Sequence, residues 1–365
     1  MKKKSGDHIF LLILGVIILF GLAMLASASV VLSYEDFKSS YGYLKHQVLL
    51  ALIPGLAMFY VVSRIKYTNW KRFSLPLLSI TVFLLFLLFL PGLGFETKGA
   101  SRWIQIGSIT FQPSELLKLT FILYLAAWLE SRRKNLESFK EGLVPFLVIC
   151  SLIAILLIAQ PDVGTLIVVL SIGAIVYFVG GGKLSHLALS GVVGIIALAI
   201  LVYSDQYRLN RWTAFLNPEL DPLGTAYQIN QALIAIGSGG IFGLGFGMSK
   251  QKYNYLPEPM GDSIFAVTAE ELGFIGSVFL LALFIALAWR GLRIAKRAST
   301  SFGMLVAVGV TSWISLQAIV NIGAISGLMP LTGITLPFIS YGGSSLMVLL
   351  IASGIVYNIS KDKSN

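Results

Sequence analysis

Long apolar runs separated by short polar breaks dominate the chain. A helix that crosses a bilayer needs about 20 mostly apolar residues. Runs of that kind lie near 9–32, 44–63, 73–91, 114–130, 142–160, 162–180, 184–203, 263–289, 303–326 and 338–358. The pattern predicts an all-α integral membrane protein of about ten transmembrane helices, with residues 1–365 forming a single polytopic membrane domain. The run 114–130 opens with Glu115 and Lys118, and at Gln160-Pro161-Asp162 the break between two runs almost vanishes. Two polar stretches are longer than the rest: 92–113, and 204–262 as a large outer loop between spans 7 and 8. Inside the second, Ala226 to Ile236 has the apolar spacing of a helix lying in the membrane interface. The glycine-rich run from Gly237 to Gly247 suits a sharp bend or a re-entry of the backbone. Its glycines do not follow the strand-and-G-x-G-x-x-G order of a dinucleotide site.

Composition agrees with a membrane setting. Of 365 residues 56% are hydrophobic and 12% charged, against about 25% charged in a soluble domain; the mean hydropathy is +0.84. The net charge of +10 does not indicate nucleic acid, because the charges lie in the breaks. With the N-terminus inside, 18 of the 27 Lys and Arg residues fall in inner segments, as the positive-inside rule expects. Both termini are therefore expected in the cytoplasm. The N-terminal Lys run, the apolar stretch and Ala26-Ser27-Ala28 imitate a signal peptide, but the stretch is longer than an h-region and many spans follow, which favours retention. The single cysteine, Cys150, cannot form an intrachain disulfide, and His8, His46 and His186 are too scattered to suggest a metal cluster.

Ionisable groups inside spans are costly and often functional. Glu115 and Lys118 are spaced i,i+3 on one face, and read equally as an ion pair carrying both charges into the membrane edge or as functional groups. Lys98 and Arg102 are either an ordinary rim pair or a phosphate site. Asp162 sits where a helix starts, and capping is favoured over substrate contact. The long outer loop carries Arg208, Arg211, Trp212 and Gln228. Asp262 stands at the outer mouth of a span, above Ala266, Ala269 and Gly273 on one face; these small residues leave either a cavity under a catalytic carboxylate or a close helix contact, and spacing alone favours the contact, with Asp262 a plain N-cap. Glu270 and Glu271 lie about 12 Å deeper at 1.5 Å per residue, where they need partners, water or protonation. After Pro337, the small residues Ser340, Gly342 and Gly343 allow tight packing of the last span or lining of a substrate site.

Taken together, Lys98-Gly99-Ala100-Ser101-Arg102-Trp103-Ile104, Gln112-Pro113-Ser114-Glu115, Gln160-Pro161-Asp162-Val163-Gly164-Thr165, Phe215-Leu216-Asn217-Pro218, Ala235 to Gly240, Leu256-Pro257-Glu258, Asp262-Ser263-Ile264-Phe265-Ala266, Glu270-Glu271-Leu272-Gly273 and Leu336 to Ser345 resemble the SEDS family of shape, elongation, division and sporulation proteins, in family order and over nearly the whole chain. Thr335 before Leu336-Pro337, and Tyr253 to Glu258, look more like its division branch (FtsW) than its elongation branch (RodA). Met260-Gly261 departs from the more polar pair of many relatives. The resemblance implies a SEDS-type fold and a peptidoglycan glycosyltransferase that polymerises lipid II at the outer face of the bacterial cytoplasmic membrane during division, enriched at the septum. It implies Asp262 as the catalytic residue. The substrate-contact set to which the motifs and outer-loop charges point is Lys98, Arg102, Glu115, Lys118, Asp162, Arg208, Arg211, Gln228, Ser340, Gly342 and Gly343. It also implies a single-span class B penicillin-binding protein as partner, against spans near 263–289 and 303–326, among other divisome proteins. Asp262 would take the proton of the acceptor hydroxyl, with undecaprenyl diphosphate leaving. A divalent ion, Mg²⁺ or Mn²⁺, bridging the diphosphate is the one cofactor left open, since the sequence shows no dedicated cage. The rivals are a lipid II flippase, whose site would lie near the midplane, and a non-catalytic division scaffold.

Overall fold

The computed structural model describes residues 6–90, 94–97, 100–106 and 109–362. The chain enters through α1 (His8–Ala28) and α2 (Val30–Phe37), then α3 (Gly42–Gln47), which passes through a π-helical turn into α4 (Ile53–Arg64), and α5 (Thr68–Leu87). Three strands follow, β1 (Gly94–Thr97), β2 (Ala100–Ile106) and β3 (Ile109–Phe111), then α6 (Pro113–Ser131), α7 (Val144–Ala159), α8 (Val163–Val179) and α9 (Leu184–Tyr203). The long stretch 204–262 holds α10 (Gln206–Leu216) and α11 (Tyr227–Ser238), and the chain finishes with α12 (Ile264–Lys296), α13 (Ser301–Ile325) and α14 (Gly343–Lys361).

Eight helical segments are long and apolar enough to cross a membrane. Two more helices occupy the remaining expected positions: α8, which is shorter, and α6, which carries Glu115, Lys118 and Glu130. The spans are helical as expected; outside them residues 94–97, 100–106 and 109–111 add a small antiparallel sheet in the order β1-β2-β3, with Gly94 opposite Ile104 and Ile104 opposite Phe111.

Helix α1 shows why such apolar segments still pack in one orientation. Phe10, Leu14, Ile17, Met24, Leu25 and Ala28 recur at helical spacing and are buried, while Leu12 and Leu19 face outwards. Both faces are apolar, so hydrophobicity alone does not choose the buried one; close fit does. The centre of the bundle is α13 and α14, each 67% buried, whereas α9 is 11% buried and lies at the edge.

Side-chain ties separate the bundle into two ends. At one, Arg290 pairs with Asp7 at 2.8 Å, Lys71 pairs with Glu130 at 2.6 Å, and Tyr67 N–H donates to Asn358 at 2.9 Å. These gather the basic breaks. At the other, Gln112 N–H donates to Ser344 Oγ at 3.1 Å, Gly342 N–H to Gln47 Oε1 at 3.3 Å, and Tyr341 N–H to the Met260 carbonyl at 2.8 Å. Asp262 lies at this second end.

Helix α12 is broken at Gly273, whose φ of 66° and ψ of −163° are not helical. The glycine-rich segment fills the break. Leu244 and Gly245 N–H donate to the carbonyls of Glu270 and Glu271, while Phe274 and Ile275 N–H donate to those of Gly240 and Ile241. The helical bonds lost between residues 274 and 270, and between 275 and 271, are thus replaced by a strand laid into the gap. A Cβ at Gly273 would come within 2.3 Å of the Gly243 nitrogen, so the approach requires glycine.

Candidate active site

The segment 326–342, between α13 and α14, is where the predicted site residues converge. Asp262 lies beside it, half-buried and two residues before α12; the N-cap expected at Asp262 is instead Ser263, and no side chain caps the helix. Its carboxylate Oδ1 accepts from Gln228 Nε2 at 3.2 Å, and Gln228 also donates to Ser263 Oγ at 3.1 Å. Its backbone is fixed by three ties. Asn321 Nδ2 donates to the Asp262 carbonyl at 2.8 Å and to that of Ile334 at 2.7 Å. Ser340 Oγ donates to the Gly261 carbonyl at 2.7 Å and accepts from Leu336 N–H at 2.8 Å. Tyr341 N–H holds Met260 O. Gly342, bonded to Gln47, and Gly343 then start α14, so they serve the packing of the last span at the rim of the site.

Glu115 and Lys118 form an ion pair of 2.7 Å inside the bundle. Lys118 is 1% exposed; it also donates to Gln317 Oε1 at 2.9 Å and lies 5.0 Å from the centroid of the Trp313 ring. Gln317 in turn donates to the Thr335 carbonyl at 3.0 Å. Gln317 and Asn321 are one turn apart on α13, so the buried pair and the Asp262 carbonyl share one polar edge of that helix. Lys118 is therefore a buried support in this structure, not an open rim cation.

Asp162 caps α8, accepting from Thr165 N–H at 3.2 Å and from Ser114 Oγ at 3.3 Å. The N-terminus of α8 lies against the hub, since a Cβ at Gly164 would be 2.8 Å from the Thr332 carbonyl. Arg102 reaches the same corner, donating from Nε to the Gln160 carbonyl at 3.1 Å and from Nη2 to that of Pro161. Lys98 lies outside the described residues. On α10, Arg211 donates to the Leu331 carbonyl at 3.1 Å and to Tyr207 Oη at 2.6 Å. Arg208 is 3.4 Å from Asp205 and donates to the Leu201 carbonyl, away from the hub. The turn before α11 is set by Asp221, whose carboxyl is held below the usual carboxylate range by the N–H of Thr225 at 2.7 Å.

Asp262, Gln228, Ser340 and Arg211 thus meet around one loop, with Asp162 and Arg102 at its flank and Glu115 and Lys118 beneath. Sequence reasoning passed over Gln317 and Asn321. Their signal was present: two amides at i,i+4 in an apolar span. Among the described residues no three His, Cys, Asp or Glu side chains converge as a metal site.

Comparison with known proteins places this arrangement. The family model FTSW_RODA_SPOVE, described as cell cycle protein, matches residues 7–365. Stage V sporulation protein E of Bacillus subtilis (strain 168) is 44% identical over 360 residues, covering 99% of this chain and 98% of that protein. A probable peptidoglycan glycosyltransferase FtsW of Geobacter sp. (strain M18) is 40% identical over 361 residues, covering 99% and 98%. Among solved structures, one showing structural coordination of polymerization and crosslinking by a peptidoglycan synthase complex aligns with a TM-score of 0.79 at 32% identity, over 98% of both chains. The rod shape determining protein RodA of Thermus thermophilus aligns with a TM-score of 0.74 at 29% identity, over 99% of this chain and 98% of that one.

Proposed function

This chain belongs to the FtsW, RodA and SpoVE family of cell cycle proteins, and from that premise we propose how it builds glycan strands. The protein is a multi-pass inner-membrane peptidoglycan glycosyltransferase. Its substrate is lipid II, bound from the outer side. Both termini and the basic breaks face the cytoplasm, ten helices span the bilayer, and 204–262 forms an outer loop carrying part of the site.

In the reaction the Asp262 carboxylate accepts the proton of the acceptor sugar hydroxyl. The freed oxygen attacks the anomeric carbon of the growing strand, and the bond to undecaprenyl diphosphate breaks with inversion. A glycosidase needs a second carboxyl to protonate its leaving group. Diphosphate leaves as an anion, so one base and nearby positive charge suffice. Arg211 and Arg102 supply that charge from the rim. Gln228 orients the carboxylate through its bond to Oδ1. The observation carrying this reading is the placement of Asp262: half-buried just before α12, its main chain and that of its two preceding residues pinned by Asn321, Ser340 and Tyr341.

The test is to purify the protein with its transpeptidase partner, supply lipid II and resolve the glycan products. Asp262→Asn should fold and lose about 10²–10⁴-fold in rate, the usual worth of a general base; wild-type ladders from that variant would remove Asp262 as the base. A flippase would use the broken helix and buried charges of α12, but Lys252, Glu270 and Glu271 are engaged by internal partners. The single-span partner is a class B penicillin-binding protein. It docks on the outward flank of α12, where Phe274, Ile275, Val278 and Phe279 are exposed. Helix α13 lies too deep to share that contact broadly, for Ile319 is its one exposed large apolar residue among those described. The protein works at the division septum.

A further inference from the structure

Eight and nine residues beyond Asp262, two adjacent carboxylates are buried below 2% exposure, and the reaction above does not use them. Glu270 accepts from Ser249 Oγ at 2.5 Å, from Lys250 N–H at 2.9 Å and from Gln251 N–H at 3.3 Å. Glu271 accepts from Gly247 N–H at 3.0 Å, from Lys252 Nζ at 2.8 Å and from Ser27 Oγ at 2.6 Å. Lys252, itself 2% exposed, has three acceptors: Glu271, the Gly247 carbonyl at 2.7 Å and Ser27 Oγ at 2.9 Å. Ser27 belongs to α1, so one hydroxyl joins the first helix to this cluster.

We infer that Lys252, Glu271 and Ser27 form a clamp that positions Asp262, by locking the segment 239–262 into the break of α12 and tying that lock to α1. The inference rests on Asp262 being the base. Segment 239–262 leaves the bundle at the break in α12 and returns at the start of the same helix. Its near end is laid into the break by main-chain bonds. Its middle, 247–252, is gripped by the two carboxylates. From there Leu256 N–H bonds the Gln251 carbonyl, and Gly261 and Ser263 N–H bond that of Glu258. The clamp is thus linked to Asp262 by a short, internally bonded run.

Stability alone is a weak reason for such a cluster. Apolar side chains of similar volume usually replace a buried ion pair at no loss, while the charged version fixes one geometry. Charges at this depth are costly in a membrane, and here Glu271 has the Lys252 ammonium while Glu270 is met by the Ser249 hydroxyl and backbone N–H donors. Removing Ser27 Oγ leaves the ion pair in place and loosens only its tie to α1, which makes Ser27 the informative position.

The experiment uses the full-length protein with its partner, and measures kcat and KM for lipid II polymerisation together with the thermal midpoint. Wild type and Asp262→Asn serve as references. Ser27→Ala is expected to keep the wild-type midpoint and KM while kcat falls about tenfold; misplacing a reacting group by 1 Å costs up to about 10²-fold. Ser27→Thr, which keeps the hydroxyl, should restore kcat. The double variant Lys252→Met/Glu271→Gln is expected to fold with a near-wild-type midpoint yet keep a low kcat. Wild-type kcat in Ser27→Ala, or recovery of kcat together with the midpoint in the double variant, would overturn the clamp as a positioning device. Activity in Asp262→Asn would instead remove the base, a distinct failure seen in a variant that leaves the clamp intact.

Discussion

Asn321 offers a direct test of how the site is held. Its amide nitrogen donates to two carbonyls, Asp262 at 2.8 Å and Ile334 at 2.7 Å, and the residue is 1% exposed. Asn321→Ala leaves both carbonyls without that donor. An unsatisfied buried polar group costs about 1–3 kcal/mol, so loss of both gives an upper range of about 2–6 kcal/mol if nothing relaxes. Relaxation is available at one side only. Ile334 lies in the irregular segment before α14, whereas Asp262 is fixed to the start of α12. The segment 332–336 should therefore shift and take Ser340 with it, since Ser340 Oγ accepts from Leu336 N–H. The main chain of 260–262 then keeps the Tyr341 tie to Met260 but loses registry with the other two. A drift of 1 Å at the base predicts a fall of about 10²-fold in kcat, with a lower thermal midpoint. Gln317→Leu is the control. It sits one turn away, supports Lys118 and Thr335 but not Asp262, and should lower stability with a smaller loss of kcat. Wild-type turnover by Asn321→Ala in the purified polymerisation assay would refute the idea that this carbonyl tie sets the base.

Other consequences are equally open to measurement. Lys118→Met strands the Glu115 carboxylate in the bundle and should destabilise by about 3–5 kcal/mol, read as a drop in thermal midpoint; Glu115→Gln/Lys118→Met should recover most of it. Gly273→Ala forces a Cβ into a left-handed position 2.3 Å from the Gly243 nitrogen. Conformation alone costs about 1–3 kcal/mol, so unfolding in detergent should move to lower temperature by more than that term predicts. Arg211→Ala removes a rim cation that holds the Leu331 carbonyl. Its KM for lipid II should rise about tenfold, about 1.4 kcal/mol, and kcat should fall as well, because the same guanidinium meets the charge of the leaving diphosphate.

The membrane architecture was legible because span-length apolar runs are a long-range average that local detail cannot erase. The run predicted at 184–203 is α9 to the residue, and 303–326 differs from α13 by two residues at its start and one at its end. The sheet at 94–111 was missed at that same scale of averaging. Ile104 to Phe111 alternates apolar and polar residues around Gly107-Ser108, a two-residue hairpin signal, which an average over span length passes over. Asp262 was visible through resemblance, whereas its supports were not. Asn321 is 59 residues further along the chain, and only the packing of α13 beside the start of α12 brings it to Asp262. For Glu270 and Glu271 the need for partners was predictable from depth. Their identity was not, because it depends on a helix break that lets residues 247–252 reach them.

The distribution of buried charge says where a diphosphate can be met. Lys118 is paired with Glu115, and Lys252 with Glu271, each at under 3 Å and each nearly inaccessible. An approaching phosphate would have to break a buried pair to use either ammonium, and stranding a carboxylate there costs several kcal/mol. Neither lysine is then a ligand of the leaving group. Among the described outer-end candidates, Arg208 is held by Asp205 in an i,i+3 pair. Arg102 and Arg211 instead donate to backbone carbonyls, those of Gln160 and Pro161 and of Leu331. A carbonyl is a neutral acceptor, and a phosphate oxygen replaces it with a stronger charge-assisted bond. These two guanidiniums are the ones that can turn to substrate at low cost. Both sit on segments touching 326–342 or its flank, so binding a diphosphate would pull on the loop that fixes Asp262. On the proposed mechanism this would couple substrate binding to placement of the base through main-chain carbonyls, and a guanidinium removed from either arginine should change both.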